Sequence, residues 1–213
     1  MQTAITSIRE AIKKEFDNES TGHDWHHIER VTQLALQISE TEGGNKEVIE
    51  LAGLLHDISD HKFNGGDFEK GGKEAERIML ENGIEQGIIE QVVAIVNTIS
   101  YKGANVANKI SSLEGKIVQD ADRIDAIGAI GIARTFAYGG HKGHPIYDPK
   151  IKPQLHDKTE DYQKTTHTIN HFYEKLLLLK DRMNTETGKK IAAQRHQFMV
   201  EFLEQFYAEW SLS

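Results

Sequence analysis

Apolar residues recur at every third or fourth position through most of the chain. This spacing places them on one face of a helix, whereas a half-buried strand would alternate strictly. We therefore predict an all-α fold in which strands are almost absent. Four stripes carry this prediction in the N-terminal half: Ile5, Ile8, Ile12 and Phe16; Trp25, Ile28, Val31, Leu34 and Ile38; Leu51, Leu54, Leu55 and Ile58; and Ile84, Ile88, Val92, Ile95 and Ile99.

Two further stripes predict two long helices within about residues 159–210. The second stripe is rich in aromatic side chains, which we interpret as core residues. A partner-binding or dimer face is the alternative that the sequence leaves open. The stripes are Tyr162, Ile169, Tyr173, Leu176 and Met183, followed by Ile191, Phe198, Phe202, Phe206 and Trp210.

The segment 139–157 contains all three prolines, three of the histidines and no apolar periodicity. Long connections of this type are often lids or binding loops. A plain excursion over the surface is the alternative, and the sequence does not separate the two.

The chain has 213 residues, which suits one domain spanning residues 1–213. Cysteine is absent, which excludes disulfide bonds, a thiol nucleophile and a Cys metal site. The N-terminus lacks the apolar core of a signal peptide, and the aliphatic run Leu176–Leu179 is far too short to span a membrane. We expect a cytoplasmic protein that does not bind membranes.

The formal net charge is −8. It disfavours nucleic acids as partners, because binding to them depends on a basic surface that neutralises phosphates. A small anionic substrate remains compatible with this charge, since a metal and a few local cations can dominate inside a cleft.

Three segments carry histidines and carboxylates that can meet at one point. His27 shares a helix face with Val31, four residues later, so it faces the core, whereas His26 points about 100° away. His56 and Asp57 follow the apolar run LAGLL, which places both side chains near the core boundary. Because neighbouring helix positions diverge, the two groups can approach a metal from different sides.

A third candidate, Asp122, lies with Asp120 and Asp125 in a largely apolar segment. Buried carboxylates need partners, because an unpaired buried charge is costly. Arg123 or Arg134 can pair with some of them, and a metal accounts for the excess. Imidazoles and carboxylates without sulfur are typical of a divalent metal that activates water. The set therefore indicates a metal-dependent hydrolase of phosphate esters or anhydrides.

The ordered motifs GHDWHHIERV (22–31), LAGLLHDISD (51–60) and VQDADRIDAIGA (118–129) resemble the HD superfamily of metal-dependent phosphohydrolases. The resemblance spans roughly residues 20–135 and implies a single-domain HD-type helical bundle. Two further segments, ISYKG and EGKIVQDADRIDAIGAIGIARTFAYGG, extend the resemblance to residue 140 and are similar to sequences of a bacterial HD subgroup. The studied members of that subgroup are nucleoside triphosphate pyrophosphohydrolases.

The resemblance implies a ligand set of His27, His56, Asp57 and Asp122. Two carboxylates balance the charge of a divalent cation. Such ligands suit Mn²⁺, our first choice, and also Co²⁺, Ni²⁺, Fe²⁺, Mg²⁺ and Zn²⁺. Extra histidines, His23 or His61, leave a second metal conceivable.

The same resemblance implies the catalytic roles. Asp60 corresponds to an acidic residue that acts as general base or orients the water, alongside Asp57 in the metal shell. Metal-activated water attacks the α-phosphorus, and pyrophosphate leaves with a nucleoside monophosphate as the other product. A triphosphate requires compensating charge. The cations that we expect to bind it are Arg30, Lys62, Lys102 and Arg123.

Two other hypotheses about the function remain open. An HD-type phosphomonoesterase or phosphodiesterase would release different products, although the chain lacks the ED pair of alarmone hydrolases and any GYP-like motif. A non-catalytic nucleotide sensor would carry the same ligands without turnover. The expected partner is a small nucleotide, and a homodimer is left open.

Overall fold

The computed structural model describes residues 1–16, 24–58, 70–99, 110–154 and 167–211. Within these ranges every regular element is a helix, which confirms the all-α prediction. The elements are α1 (Gln2–Phe16), α2 (Trp25–Glu42), α3 (Lys46–Leu55), α4 (Lys70–Glu81), α5 (Gln86–Val96), α6 (Leu113–Asp125), α7 (Gly128–His141), α8 (Asn170–Glu174), a 3₁₀ helix (Leu176–Arg182) and α9 (Glu186–Trp210).

The described residues form two compact units. The first contains α1 to α5 and the part of α6 up to Ala121, and the second contains the rest of the chain from Asp122. The expectation of one domain over residues 1–213 stays a prediction. None of the described helices is long and apolar enough to cross a membrane.

Helix α3 is the centre of the first unit, since α1, α2 and α5 all pack against it. This position explains why the second half of α3, from Leu51 to Leu55, is apolar and buried at every residue. Arg9 on α1 pairs with Glu29 on α2 and, at 2.8 Å, with Glu50 on α3. Helices α2 and α3, which carry the predicted histidines, are thus held by apolar packing and by a shared ion pair.

The prediction of one long helix through Tyr173 and Met183 is wrong. Helix α8 ends at Glu174, Lys175 has non-helical φ and ψ values of −143° and −61°, and a 3₁₀ helix follows. A 3₁₀ helix has three residues per turn, so Leu176 and Leu179 lie on the same side, and both are buried. The leucine run thereby places its first and last members in the core without an α-helical register.

The aromatic stripe of α9 is only partly buried. Phe198 and Trp210 are 49% and 51% exposed, so the prediction of a core position is wrong for these two. Three buried residues of α9, Ala192, Met199 and Leu203, each follow a member of the predicted stripe by one position. Aromatic bulk had suggested the inward face, whereas smaller aliphatic side chains form it.

The proline-containing segment starts only after His141, where α7 ends. Its described part is fixed to the residues around α8: the Thr168 amide donates to the Pro145 carbonyl at 2.9 Å. The Gln154 amide donates to Glu174 Oε1 at 3.0 Å. This anchoring favours a fixed connection over a lid for that part. The last three residues of the predicted loop lie outside the described ranges.

His171 in α8 gives a pH prediction. Burial, with smaller contributions from the charges of Lys175 and His144, lowers its pKa from 6.5 to about 3. Below pH 6.5 the unfolded chain therefore binds a proton that the folded chain does not, and stability falls as the pH falls toward 3. Between pH 8 and pH 5 this histidine should remove about 2 kcal/mol of unfolding free energy.

The measurement is urea unfolding at both pH values for the wild type and for His171→Gln, whose amide does not titrate. The difference between the two pH values should be smaller in the variant by that amount. Equal differences in the two proteins would show that His171 does not carry this pH dependence.

Candidate metal centre

His27 lies in the first turn of α2. The helix begins where Asp24 caps it, since Asp24 Oδ1 accepts a hydrogen bond from the His27 amide at 2.8 Å. The His27 side chain is 1% exposed, whereas His26 is exposed. The helical period therefore identified the inward histidine correctly.

His56 follows the last residue of α3, and Asp57 follows in the turn. His56 Nδ1 lies 2.7 Å from the carbonyl oxygen of Gly53. A carbonyl can only accept, so Nδ1 carries the hydrogen, and Nε2 presents its lone pair on the other side of the ring. A hydrogen bond of this kind fixes the tautomer of a metal-binding imidazole.

Three acceptor atoms converge at one point. His56 Nε2 lies 3.3 Å from His27 Nε2, and Asp57 Oδ2 lies 3.3 Å from His27 Nε2 and 3.5 Å from His56 Nε2. Two ligands about 2.1 Å from one ion lie about 3.0 Å apart at a right angle and about 3.4 Å apart at the tetrahedral angle. The three separations therefore fit one divalent cation.

The burial of the group supports the same interpretation. The side chains of both histidines are 1% exposed and that of Asp57 is 13% exposed. A hydrogen on His27 Nε2 can form a good hydrogen bond to only one of the other two ligand atoms. A cation, by contrast, can bind all three atoms at once. Among the described residues, His27, His56 and Asp57 form the group whose ligand atoms lie close enough together, within 4.8 Å of one another, to hold a metal ion.

Asp122 lies in the part of α6 that belongs to the second unit and is partly exposed. Its place in the metal shell stays a prediction. Its neighbour Asp125 pairs with Arg134 at 2.7 Å, which confirms that an arginine neutralises one carboxylate of this segment.

The predicted substrate cations have different environments. Arg30 is partly exposed on the helix that carries His27. Arg123 is 7% exposed and donates through Nη1 to the carbonyl of Arg182. Substrate binding by either arginine stays a prediction. The remaining predicted positions lie outside the described residues: Asp60, Lys62, Lys102, His23 and His61.

Sequence reasoning missed two residues that shape the centre. Asp24 caps α2 next to His27, and its position just before the apolar stripe was an available signal. Gly53 supplies the carbonyl that orients His56, and it also allows α2 to approach α3. A glycine three residues before a candidate histidine was visible in the sequence, but its contact across the two helices was not.

Comparison with known proteins finds relatives along the whole chain. The HD domain family matches residues 24–127. The uncharacterized protein YpgQ of Bacillus subtilis (strain 168) is 38% identical over 199 residues, which cover 93% of this chain and 89% of YpgQ.

Two solved structures are similar over the same length. An HD-superfamily hydrolase from Bacillus thuringiensis is 43% identical with a TM-score of 0.79, and the match covers 100% of this chain and 99% of that chain. Bacillus subtilis YpgQ in complex with ADP matches with a TM-score of 0.75 and 33% identity, covering 98% of each chain.

Proposed function

This chain belongs to the HD domain family of metal-dependent phosphohydrolases, and from that premise we propose that it hydrolyses nucleoside triphosphates to a monophosphate and pyrophosphate. The observation that carries the proposal is the convergence of His27 Nε2, His56 Nε2 and Asp57 Oδ2 within 3.5 Å of one another. The proposed cofactor is Mn²⁺, and Asp122 is the proposed fourth ligand.

A divalent cation in such a site lowers the pKa of a coordinated water and polarises a phosphoryl oxygen. The residues around it provide the rest. The hydrogen bond from His56 Nδ1 to the Gly53 carbonyl orients the ring so that Nε2 points to the other two ligand atoms. Asp57 is the most exposed of the three ligands, so we place the open, substrate-facing side of the centre next to it.

In this proposal a carboxylate acts as the general base. Asp60, three residues after Asp57, would accept a proton from the attacking water. Arg30, Lys62, Lys102 and Arg123 would bind the phosphate oxygens and neutralise the charge that develops on the leaving pyrophosphate.

The nucleotide part of the proposal is supported by a relative. YpgQ of Bacillus subtilis was crystallised in complex with ADP, and it matches this chain over 98% of its length. We extend the ligand class of that complex, an adenine nucleotide, to this chain. The cytoplasmic location stays a prediction, and the question of a homodimer stays open.

The test is product analysis. Metal-free protein resupplied with Mn²⁺ is offered nucleoside triphosphates, deoxynucleoside triphosphates and monophosphates. We expect pyrophosphate and the monophosphate in equal amounts from triphosphates, because water attacks the α-phosphorus. Phosphate released from monophosphates would instead make the protein a nucleotidase, and nucleotide binding without turnover would make it a sensor.

Two variants assign the products to the metal centre. Asp57→Asn keeps the shape of a ligand and removes its charge, so it should lose the activity. Asp181→Asn is the matched control, since the Asp181 side chain is 80% exposed and pairs only loosely with Lys180 at 3.8 Å. Activity that survives Asp57→Asn would come from a contaminating enzyme or from another site.

A further inference from the structure

Helices α2 and α3 touch at Gly53. A Cβ atom added to Gly53 would lie 2.9 Å from Thr32 Oγ1 and 3.0 Å from Thr32 Cα. Carbon atoms in good contact are about 3.5–4.0 Å apart, so no side chain fits there without a shift. Thr32 itself is fully buried, and its hydroxyl donates to the Ile28 carbonyl at 2.8 Å, which keeps it in place.

This contact lies close to both histidines along their helices. Thr32 follows His27 by five residues, and Gly53 precedes His56 by three. At 1.5 Å per residue these separations are about 7.5 Å and about 4.5 Å along the helix axes. The carbonyl of Gly53 is also the acceptor for His56 Nδ1, so a displacement of Gly53 changes the orientation of that ring.

We propose that Gly53 is a positioning residue of the metal centre, because its contact with Thr32 sets the separation of His27 and His56. It is not a ligand and touches no substrate. The proposal rests on the metal centre of the proposed function, but not on its substrate. Nε2 atoms 3.3 Å apart fit one cation, and a site of this kind must be held within about 0.5 Å.

A methyl group at position 53 should therefore part the helices. Restoring ordinary contact from 3.0 Å to Thr32 Cα requires a movement of about 0.5 Å or more. The neighbour is backbone, so it cannot turn away as a flexible side chain would. The two imidazoles then separate by a comparable distance, and one of them loses its bond to the cation.

The experiment measures Mn²⁺ affinity, without substrate, by the electron paramagnetic resonance signal of free Mn²⁺. Gly53→Ala should bind Mn²⁺ about 10- to 100-fold more weakly than the wild type, the usual effect of losing an outer support of a metal ligand. Gly87→Ala is the matched control. Gly87 also lies in a helix, and a Cβ there meets nothing within 4 Å, so its affinity should be unchanged.

A rescue separates positioning from general damage. Thr32→Gly removes the hydroxyl and the Cβ that the new methyl group would meet. Thr32 Cα remains 3.0 Å from the new methyl group, so the rescue is partial. The double variant Gly53→Ala with Thr32→Gly should bind Mn²⁺ more tightly than Gly53→Ala and more weakly than Thr32→Gly alone, and it should still bind Mn²⁺ if Gly53→Ala by itself does not fold. A folded Gly53→Ala with wild-type affinity would overturn the proposal, and so would a double variant that binds Mn²⁺ no better than the folded single variant or not at all.

The Mn²⁺ affinity, measured without substrate, also distinguishes a failure of this proposal from a failure of the proposed function. Wild-type protein that binds Mn²⁺ but cleaves no triphosphate would disprove the substrate and leave the role of Gly53 intact. Wild-type protein that binds no divalent cation would disprove the metal centre, and the positioning role would fall with it.

Discussion

His27→Ala is expected to abolish Mn²⁺-dependent hydrolysis, with kcat/KM lower by on the order of 10³-fold or more. The imidazole is one of three converging ligands, its side chain is 1% exposed, and its Nε2 lies 3.3 Å from each of the other two ligand atoms. Its removal leaves only His56 and Asp57 of the three converging ligands. A loss of that size corresponds to about 4 kcal/mol of transition-state stabilisation.

The neighbouring residue provides the control. His26 lies on the same turn of α2 and is exposed, so His26→Ala changes the same residue type without touching the centre. We expect wild-type activity and Mn²⁺ affinity from it. Kinetics and Mn²⁺ titration of the two variants are the measurement, with circular dichroism to show that both fold. Equal activity of the two variants would mean that His27 is not a ligand.

The second large effect concerns stability. Phe172→Ala should lower the unfolding free energy of the second unit by about 3–5 kcal/mol, the usual range for a buried phenylalanine. Phe172 is fully buried. Its ring stacks on Phe202 with centroids 5.8 Å apart, and the ring of Phe136 lies 6.1 Å away. Truncation removes these contacts and leaves a cavity in a region fixed by α8 and α9.

Phe198→Ala is the matched control for this prediction. Phe198 is on α9, one turn before Phe202, and is 49% exposed, so its loss should cost within about 0.5 kcal/mol. Urea unfolding followed by circular dichroism measures both variants. A destabilisation by Phe198→Ala as large as that by Phe172→Ala would show that the aromatic stripe of α9 is buried against a partner in solution.

The helices of the first unit follow from the sequence, because the apolar stripe and its capping residues are both local. Helix α2 covers the predicted stripe from Trp25 to Ile38, with Asp24 as its cap. The same periodicity distinguishes His27 from His26, since a rotation of about 100° per residue takes one ring inward and the other to solvent. The motif order also identified the family, which the comparisons confirm.

The C-terminal part is less predictable because its apolar pattern admits two helix types. A run of four leucines is compatible with a continuous α-helix or with a 3₁₀ helix, and the break at Lys175 depends on what surrounds it. The burial of the aromatic residues in α9 was mispredicted for a similar reason. Phe198 and Phe202 share a stripe, but only contacts with other elements decide which of them is covered.

By itself, the sequence determined the helical class, the inward histidine and the donor chemistry of the metal site, because these depend on residue type and on the period of one helix. The tertiary structure decided that His27, His56 and Asp57 meet, that Gly53 lies against Thr32, and that Arg134 neutralises Asp125. Each of these is a distance between residues of separate helical segments. Such distances are set by how close two backbones can pack, and no local pattern records that.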